Sequence, residues 1–261
     1  MNFSAVFDPL FLVPFVNGLL LAVLLPALGV YVRLRDEWLA SLGVAQAAAA
    51  GVVIGSLVSS DVTVTALGAA ALAAASKAAF GRGGNDLYAV MILFGWTAAL
   101  LVAANSAHGD DLARALVQGQ LYFTDHPHLH GLIAIGLVIG VLLPWVSSRL
   151  LLGQFFPDHF RANGIARPHH DFVFDVLLAV TLALAATTIG VMAAFALVFV
   201  PPWVTFRLAH GWHRTIVWSI GLAVAAYALS FAGAIVFDQP YGPVLVAVLI
   251  VAGALRLLPY R

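Results

Sequence analysis

Three histidines and an aspartate stand close together in the middle of the chain, in the sequence Asp125-His126-Pro127-His128-Leu129-His130. Imidazole nitrogens and carboxylate oxygens are usual ligands of zinc, so His126, His128 and His130 are candidate metal ligands. Pro127 favours an extended backbone, which would turn the histidines towards one side. The alternative is a solvated loop whose histidines share no function, because their spacing matches no known metal site.

Gln46 is a second candidate, because it is a polar residue inside a long apolar stretch rich in alanine. A glutamine in such a stretch either makes a hydrogen bond between helices or contacts a solute that passes along the helix. Leu42 lies one helical turn before it and Gly51 follows it. The small residues from Ala47 to Gly51 favour close helix packing, either as plain packing or as the lining of a translocation path.

The chain that carries these residues is too apolar for a soluble domain. Hydrophobic residues make up 62% of its 261 residues and charged residues 9%, whereas soluble domains carry about 25% charged residues. The sequence therefore predicts an all-α integral membrane protein with one transmembrane domain over residues 1–261. A net charge of zero without a basic tract argues against nucleic acid as a partner, and the lack of cysteine excludes thiolate metal sites.

We predict a bundle of about nine transmembrane helices, with eight as the alternative, because apolar stretches long enough to cross a bilayer recur along the chain. The predicted spans are 10–32, 38–58, 62–80, 87–105, 131–148, 172–188, 189–207, 215–236 and 242–258. The division of 172–207 rests on Gly190, since that stretch is too long for one span and glycine permits a turn. Two connections are long, namely 106–130 and 149–171.

Basic residues collect in the connections at one end of a nine-span bundle, which predicts that this end faces the cytoplasm. The basic residues there are Arg33, Arg35, Lys77, Arg82, Arg149, Arg161, Arg167, Arg207, Arg214, Arg256 and Arg261. The opposite end carries Asp61, Asp110, Asp111, Asp125 and Asp238, with Arg114 as its one basic residue. The N-terminus is therefore predicted outside and the C-terminus in the cytoplasm.

Ionisable residues inside spans usually mark a functional pathway. Here Lys77, Asp86 and Asp175 all lie near the predicted ends of spans. We therefore expect these side chains to reach the membrane interface. A secondary transporter is disfavoured, because ion coupling would need carboxylates in the middle of the membrane.

The second long connection contains a sequence typical of a short amphipathic helix. Pro157 suits its first turn, Asp158 its positive N-terminal end and Gly164 its C-terminal cap. Phe156 and Phe160 would then be available to a partner protein. The alternative is an interfacial helix held only by lipid headgroups.

The sequence contains no phosphate-binding Gly-x-x-x-x-Gly-Lys-Ser/Thr loop, no zincin motif and no nucleophile elbow. We therefore expect no enzymatic activity from this chain. If it takes part in active transport, another subunit supplies the energy.

Taken in order, several short motifs resemble the permease subunits of the zinc/manganese family of ABC importers, over nearly the whole chain. They are LLPALGVYVRLR at 24–35, AGVVIG at 50–55, Asp86, QGQL at 118–121, FPDHFRANGI at 156–165, IGV at 189–191, VFVPP at 198–202 and DQPYGP at 238–243. The resemblance implies the type II-like importer fold, a location in the bacterial plasma membrane and no cofactor on this chain.

The resemblance also implies partners. Residues 153–168 would form the cytoplasmic coupling segment, which docks in a groove of the ATPase. Its expected contact residues are Phe156, Pro157, Asp158, His159, Phe160, Arg161 and Gly164. The complete importer would contain two permeases, identical or paralogous, two ATPase subunits that bind ATP-Mg, and an extracytoplasmic substrate-binding protein.

One departure concerns the substrate. The family usually carries an Asp-x-x-x-His pair early in the second span, and alignment on Gly51 places Leu42 and Gln46 at those positions. Leucine does not coordinate metals, and an amide oxygen is a poor substitute for imidazole. We expect Gln46, Leu42 and Gly51 along the translocation path of an ATP-driven importer. Its substrate is a divalent metal, a metal chelate or a non-metal solute; the alternative function is a membrane assembly or sensor subunit that transports nothing.

Overall fold

The computed structural model describes residues 9–58, 61–79, 84–106, 109–156 and 168–257, which form ten α-helices and no strand. The helices are α1 (Leu12–Leu34), α2 (Trp38–Leu57), α3 (Val62–Ala79), α4 (Gly84–Ala104), α5 (Gly109–Gln118), α6 (His126–Phe155), α7 (Pro168–Ile189), α8 (Val191–Leu208), α9 (Trp212–Phe237) and α10 (Tyr241–Gly253). Short 3-10 turns occupy Pro9–Phe11, Leu121–Phe123 and Ala254–Leu257.

Nine of these helices coincide with the nine predicted spans. Seven are long and apolar enough to cross a membrane, namely those within Pro9–Leu34, Trp38–Leu57, Asp86–Ala104, His126–Phe155, His170–Ile189, Val191–Leu208 and Trp212–Phe237. Two shorter apolar helices, within Val62–Lys77 and Tyr241–Arg256, complete the set. The prediction of an all-α bundle of about nine transmembrane helices is therefore confirmed.

Helix α1 ends on the side of the bundle where Arg256 lies beyond α10, since Arg33 and Arg207 are close enough to Arg256 to repel its charge. Contacts between distant residues define the end where α1 finishes. There Lys77 pairs with Glu37 at 2.8 Å, and Arg256 donates a hydrogen bond to the Trp203 carbonyl oxygen at 3.0 Å. We call this the basic end and the opposite one, which carries Asp61, the acidic end.

Gly190 separates α7 from α8, as the sequence predicts. Its φ of 88° lies in the region that glycine adopts without strain. Helix α7 ends at Ile189 and α8 begins at Val191. The long apolar stretch is therefore two helices that turn at the acidic end.

Helix α6 is longer than its predicted span of 131–148. It runs over 30 residues, from His126 to Phe155, which corresponds to about 45 Å. Asp125 caps its N-terminus by accepting a hydrogen bond from the His128 backbone N–H. Pro127 lies in the first turn of α6, so the extended backbone expected there is not formed. Proline is tolerated in this turn because no helical N–H bond is lost. The predicted connection 106–130 also contains α5, a helix that is not one of the nine predicted spans.

Helix α2 lies in the interior, with α3, α4, α7 and α8 packed around it. Two glycines bring its neighbours close. A Cβ atom on Gly51 would stand 2.5 Å from the Thr65 carbonyl oxygen of α3. A Cβ atom on Gly95 of α4 would stand 2.7 Å from the Gln46 carbonyl carbon. The small residues of α2 therefore serve close packing between backbones.

Candidate functional site

The three candidate path residues lie on one buried helix. Gln46 is 6% exposed, Gly51 is buried against α3, and Leu42 is half-buried one turn before Gln46. Within the part of the chain that the structure describes, the Gln46 amide makes no hydrogen bond. The expected bond between helices is therefore not seen. A neutral amide at this depth has donors and an acceptor free for a solute or for another chain.

The three candidate metal ligands are not brought together. His126, His128 and His130 occupy the first turns of α6, where residues two apart point about 200° away from each other around the helix. Among the described residues, which include all three, no group of three or more histidines or carboxylates could hold a metal ion.

His128 has a local role instead, because its Nδ1 lies 2.7 Å from Asp125 Oδ1. The hydrogen bonds from the His128 side chain and backbone to the carboxylate lower the pKa of Asp125 below its usual value. This arrangement caps α6 at the acidic end of the bundle.

The predicted coupling segment begins where α6 ends. Phe156 follows the last turn of α6 and is 62% exposed. Its other expected contact residues, Pro157, Asp158, His159, Phe160, Arg161 and Gly164, lie outside the described residues. The chain is described again from Pro168, where α7 begins. The segment therefore connects two helices at the basic end.

A ring of four buried charges lies at the same end, and the sequence prediction missed it. Lys77 Nζ lies 2.8 Å from Glu37 Oε2 and 2.7 Å from Asp175 Oδ1. Arg35 closes the ring, with one guanidinium nitrogen 2.9 Å from Glu37 Oε2 and the other 3.0 Å from Asp175 Oδ1. We call these residues the charge ring.

The charge ring corrects the expectation that Lys77 and Asp175 reach the membrane interface. Lys77 and Asp175 are only 7% and 8% exposed. Each charge has two partners of opposite sign, which offsets the cost of removing four ions from water. Asp86, the third residue in that expectation, is exposed at the start of α4. The sequence could have indicated this ring, since Arg35 and Glu37 share one short turn at the same predicted end of the bundle as Lys77 and Asp175.

Neighbouring groups extend the charge ring. The Tyr88 side chain of α4 lies close to the Glu37 carboxylate, and the Arg35 guanidinium stands 5.3 Å from the centre of the Phe174 ring. Burial alone would lower the pKa of Arg35, but the negative charges of Asp175, Glu37 and Asp171 raise it above the usual arginine value. Arg35 therefore stays charged in this interior position.

At the acidic end, three glycines bring distant backbone segments together. A Cβ atom on Gly119 would stand 2.8 Å from the Gly190 nitrogen, and one on Gly242 would stand 2.6 Å from the Gln118 carbonyl oxygen. The Gln120 backbone N–H donates to the Thr188 carbonyl oxygen at 2.9 Å. We call Gly119, Gly190 and Gly242 the glycine junction. Three of the resembling motifs, 118–121, 189–191 and 238–243, thus meet in one place.

Comparison with known proteins agrees with this architecture. The family described as the ABC 3 transport family matches residues 8–258. Since the match covers almost the entire chain, the protein belongs to the ABC 3 transport family. No curated protein sequence matches the chain at a significant level.

Two solved structures share the fold. PsaBC from Streptococcus pneumoniae, solved in complex with a Fab, superposes with a TM-score of 0.84 at 16% identity, covering 98% of this chain and 95% of that one. An inward-facing transporter described as being of the metal-chelate ABC type superposes with a TM-score of 0.76 at 12% identity, covering 94% of this chain and 85% of that one. The helical bundle is therefore the fold of ABC transporter membrane subunits.

Proposed function

We propose that this chain is the membrane permease subunit of an ATP-driven ABC importer that carries a metal, as a divalent ion or as a chelate. The observation that carries the proposal is the family match over residues 8–258. The metal-chelate type of one transporter with the same fold supports the substrate class. ATP hydrolysis belongs to a separate subunit, because the sequence has no phosphate-binding loop.

The two ends of the bundle have different partners in this proposal. The basic end faces the cytoplasm, since lysine and arginine favour that side of a membrane. The ATPase binds there, against the connection between Phe156 and Pro168. A second permease subunit pairs with this one in the membrane, and a substrate-binding protein delivers the cargo at the acidic end.

Of the two forms of cargo, a chelate fits α2 better than a bare ion. A divalent ion gives up bound water only in exchange for strong oxygen or nitrogen ligands. Leu42 offers none, and Gln46 offers one neutral amide. A chelate brings its own ligands, so the path has only to hydrogen-bond its surface. Gln46 is suited to that task because its amide is free of partners among the described residues.

The first test measures metal uptake in metal-starved cells that lack the gene, with cell-associated zinc, manganese and iron quantified by mass spectrometry. Cells that express the wild-type chain should regain one metal, and Gly95→Leu should not restore it, because the new side chain would push α4 away from Gln46. Gly140→Leu is the matched control, since a Cβ atom there meets nothing within 4 Å. Both variants are first checked for equal amounts in the membrane.

The second test separates an ion from a chelate. The variant Leu42→Asp/Gln46→His introduces a carboxylate and an imidazole one helical turn apart, which is a suitable spacing for one metal ion. We expect this variant to gain uptake from zinc or manganese salts and to lose uptake of the chelated metal. Equal uptake of free ions by the wild type and the variant would argue against the chelate.

Two other outcomes would overturn the proposal at different levels. If no metal content changes but an ATPase still co-purifies with the chain, the cargo is a non-metal solute. If no ATPase co-purifies, the chain is an assembly or sensor subunit rather than a transporter component.

A further inference from the structure

The charge ring connects the two parts of the chain that an importer must link. Asp175 lies in the second turn of α7, the helix that follows the predicted coupling segment. Arg35 and Glu37 form the turn that begins α2, the helix that carries Gln46. Lys77 joins both to the last turns of α3. Four short ion pairs of the ring therefore connect the helix that follows the coupling segment directly to the start of α2.

The geometry of the ring resists separation of these helices. Asp175 Oδ1 accepts from both Arg35 and Lys77, and Glu37 Oε2 accepts from the same two cations. A displacement of Asp175 away from α2 would therefore break two buried ion pairs at once, and partner removal is costly for buried charges. Movement of the first turns of α7 together with α2 and α3 breaks none of them.

We propose that the charge ring is the mechanical joint through which motion at the start of α7 reaches α2 and its Gln46. The inference rests on the proposed function, because the ATPase supplies the motion. The ring stays closed through the cycle, and the basic ends of α2, α3 and α7 move as one body. Arg35, Glu37, Lys77 and Asp175 act as positioning residues and do not themselves touch the cargo.

Other contacts at the basic end do not replace the ring in this task. Arg149 of α6 lies 2.9 Å from His170 Nε2, which ties α7 to α6 but not to α2. Tyr88 of α4 lies close to Glu37 but does not connect it to α7. Phe174 of α7 also contacts Arg35, through its ring. The ion pairs of Asp175 differ from that contact because they hold α7 to the turn that begins α2 and to α3 at the same time.

The test follows one thiol on α2 in the assembled complex with the ATPase. Because the chain has no cysteine, Leu42→Cys places a single reporter on it, one turn from Gln46. Its rate of modification by N-ethylmaleimide is measured without nucleotide and after trapping with ATP-Mg and orthovanadate. We expect the rate to differ several-fold between the two states when the ring is intact.

The decisive variant adds Asp175→Asn and Lys77→Gln to the reporter chain. It removes one charge of each sign and leaves Arg35 paired with Glu37, so no buried charge loses every partner. We expect the melting temperature and the binding of the ATPase to stay near the wild-type values. The difference in modification rate between the two nucleotide states should be lost.

A matched control removes a buried polar pair elsewhere. Thr205 and Ser219 share a hydrogen bond of 2.5 Å between α8 and α9, and Thr205→Val/Ser219→Ala removes it. This control should keep the response of the reporter to nucleotide. A reporter that responds equally in all three chains would show that the ring only stabilises the fold, and would overturn the inference.

A second measurement needs no substitution, because Lys77 is the only lysine in the chain. Acetylation of its ε-amine by sulfo-NHS acetate, followed by mass spectrometry, should be slow both without nucleotide and in the trapped state. Rapid acetylation in the trapped state would show that the ring opens, which contradicts a joint. If an ATPase co-purifies with the chain and hydrolyses ATP, the proposed function stands even when the joint is disproved. If no ATPase co-purifies, the proposed function itself is contradicted.

Discussion

The two ends of the bundle hold their helices together by opposite means. At the basic end, the charge ring joins helices through long charged side chains that each meet two partners. At the acidic end, the glycine junction joins backbone segments directly, with no side chain between them. Ion pairs hold helices through flexible side chains, whereas backbone contact leaves almost no freedom. The contacts at the acidic end therefore leave less freedom for adjustment than those at the basic end.

The largest expected effect comes from Gly119→Val at the glycine junction. The new side chain would overlap the backbone at Gly190, and the φ of 76° is unfavourable for a β-branched residue. We expect a loss of more than about 4 kcal/mol in the free energy of unfolding. Size-exclusion chromatography of a fluorescent fusion would then show little folded monodisperse protein.

Gly211→Val separates backbone strain from steric overlap. Gly211 has a φ of 96°, but a Cβ atom there would meet nothing within 4 Å. This variant should lose about 1–3 kcal/mol and still fold. If both variants fail to the same degree, backbone strain accounts for the result and the junction is not a special contact.

The next effect in size is expected from Lys77→Met in the charge ring. It leaves two buried carboxylates with one guanidinium, so the free energy of unfolding should fall by about 3 kcal/mol. Chemical unfolding in mixed micelles measures the change. Lys77→Arg, which keeps the charge, should lose much less. The addition of Asp175→Asn should recover part of the loss, and its failure to do so would show that Lys77 acts by packing alone.

A smaller effect is expected from Tyr227→Phe in α9, whose ring packs against Tyr241 at the start of α10. The Tyr227 hydroxyl donates to the Phe15 carbonyl oxygen at 2.7 Å, and such a bond contributes about 1 kcal/mol. Tyr122→Phe is the control, because the buried Tyr122 hydroxyl has no hydrogen-bond partner within the described residues. Its removal should leave the melting temperature unchanged or raise it. A larger fall in melting temperature for Tyr122→Phe than for Tyr227→Phe would contradict the stabilising role of the Tyr227 hydrogen bond.

The smallest effect is expected at the capped start of α6. Because the folded protein lowers the pKa of Asp125 from its usual 3.8, the ionised cap stabilises the fold above that value. The stabilisation is lost as the pH falls through the lowered pKa. Melting temperatures should show a small fall over that acidic range. Asp125→Asn should keep the cap, since asparagine caps helices well, and should remove this part of the pH dependence.

Hydropathy and charge placement were enough to predict the bundle, because a membrane helix must be apolar over a fixed length. They did not predict the partners of buried charges. Lys77 and Asp175 stand near span ends, where a charge can either reach the membrane interface or pair with an opposite charge. Only the packing of α2, α3 and α7 decides which of the two occurs. Helix α5 was missed because it is amphipathic rather than apolar throughout. Gln46, Leu42 and Gly51 lie on α2, the helix of the second predicted span, and their role in the path stays a prediction.

The sequence positions of the glycine junction have a consequence for biogenesis. Its segments lie near residues 119, 190 and 242, so the contact forms only after the ribosome has delivered the start of the last helix. The charge ring needs nothing beyond Asp175 and can form several helices earlier. During insertion the bundle therefore gains its connection at the basic end first and stays open at the acidic end until the start of α10 has been made. In that interval chaperones and proteases of the membrane would meet a half-closed intermediate.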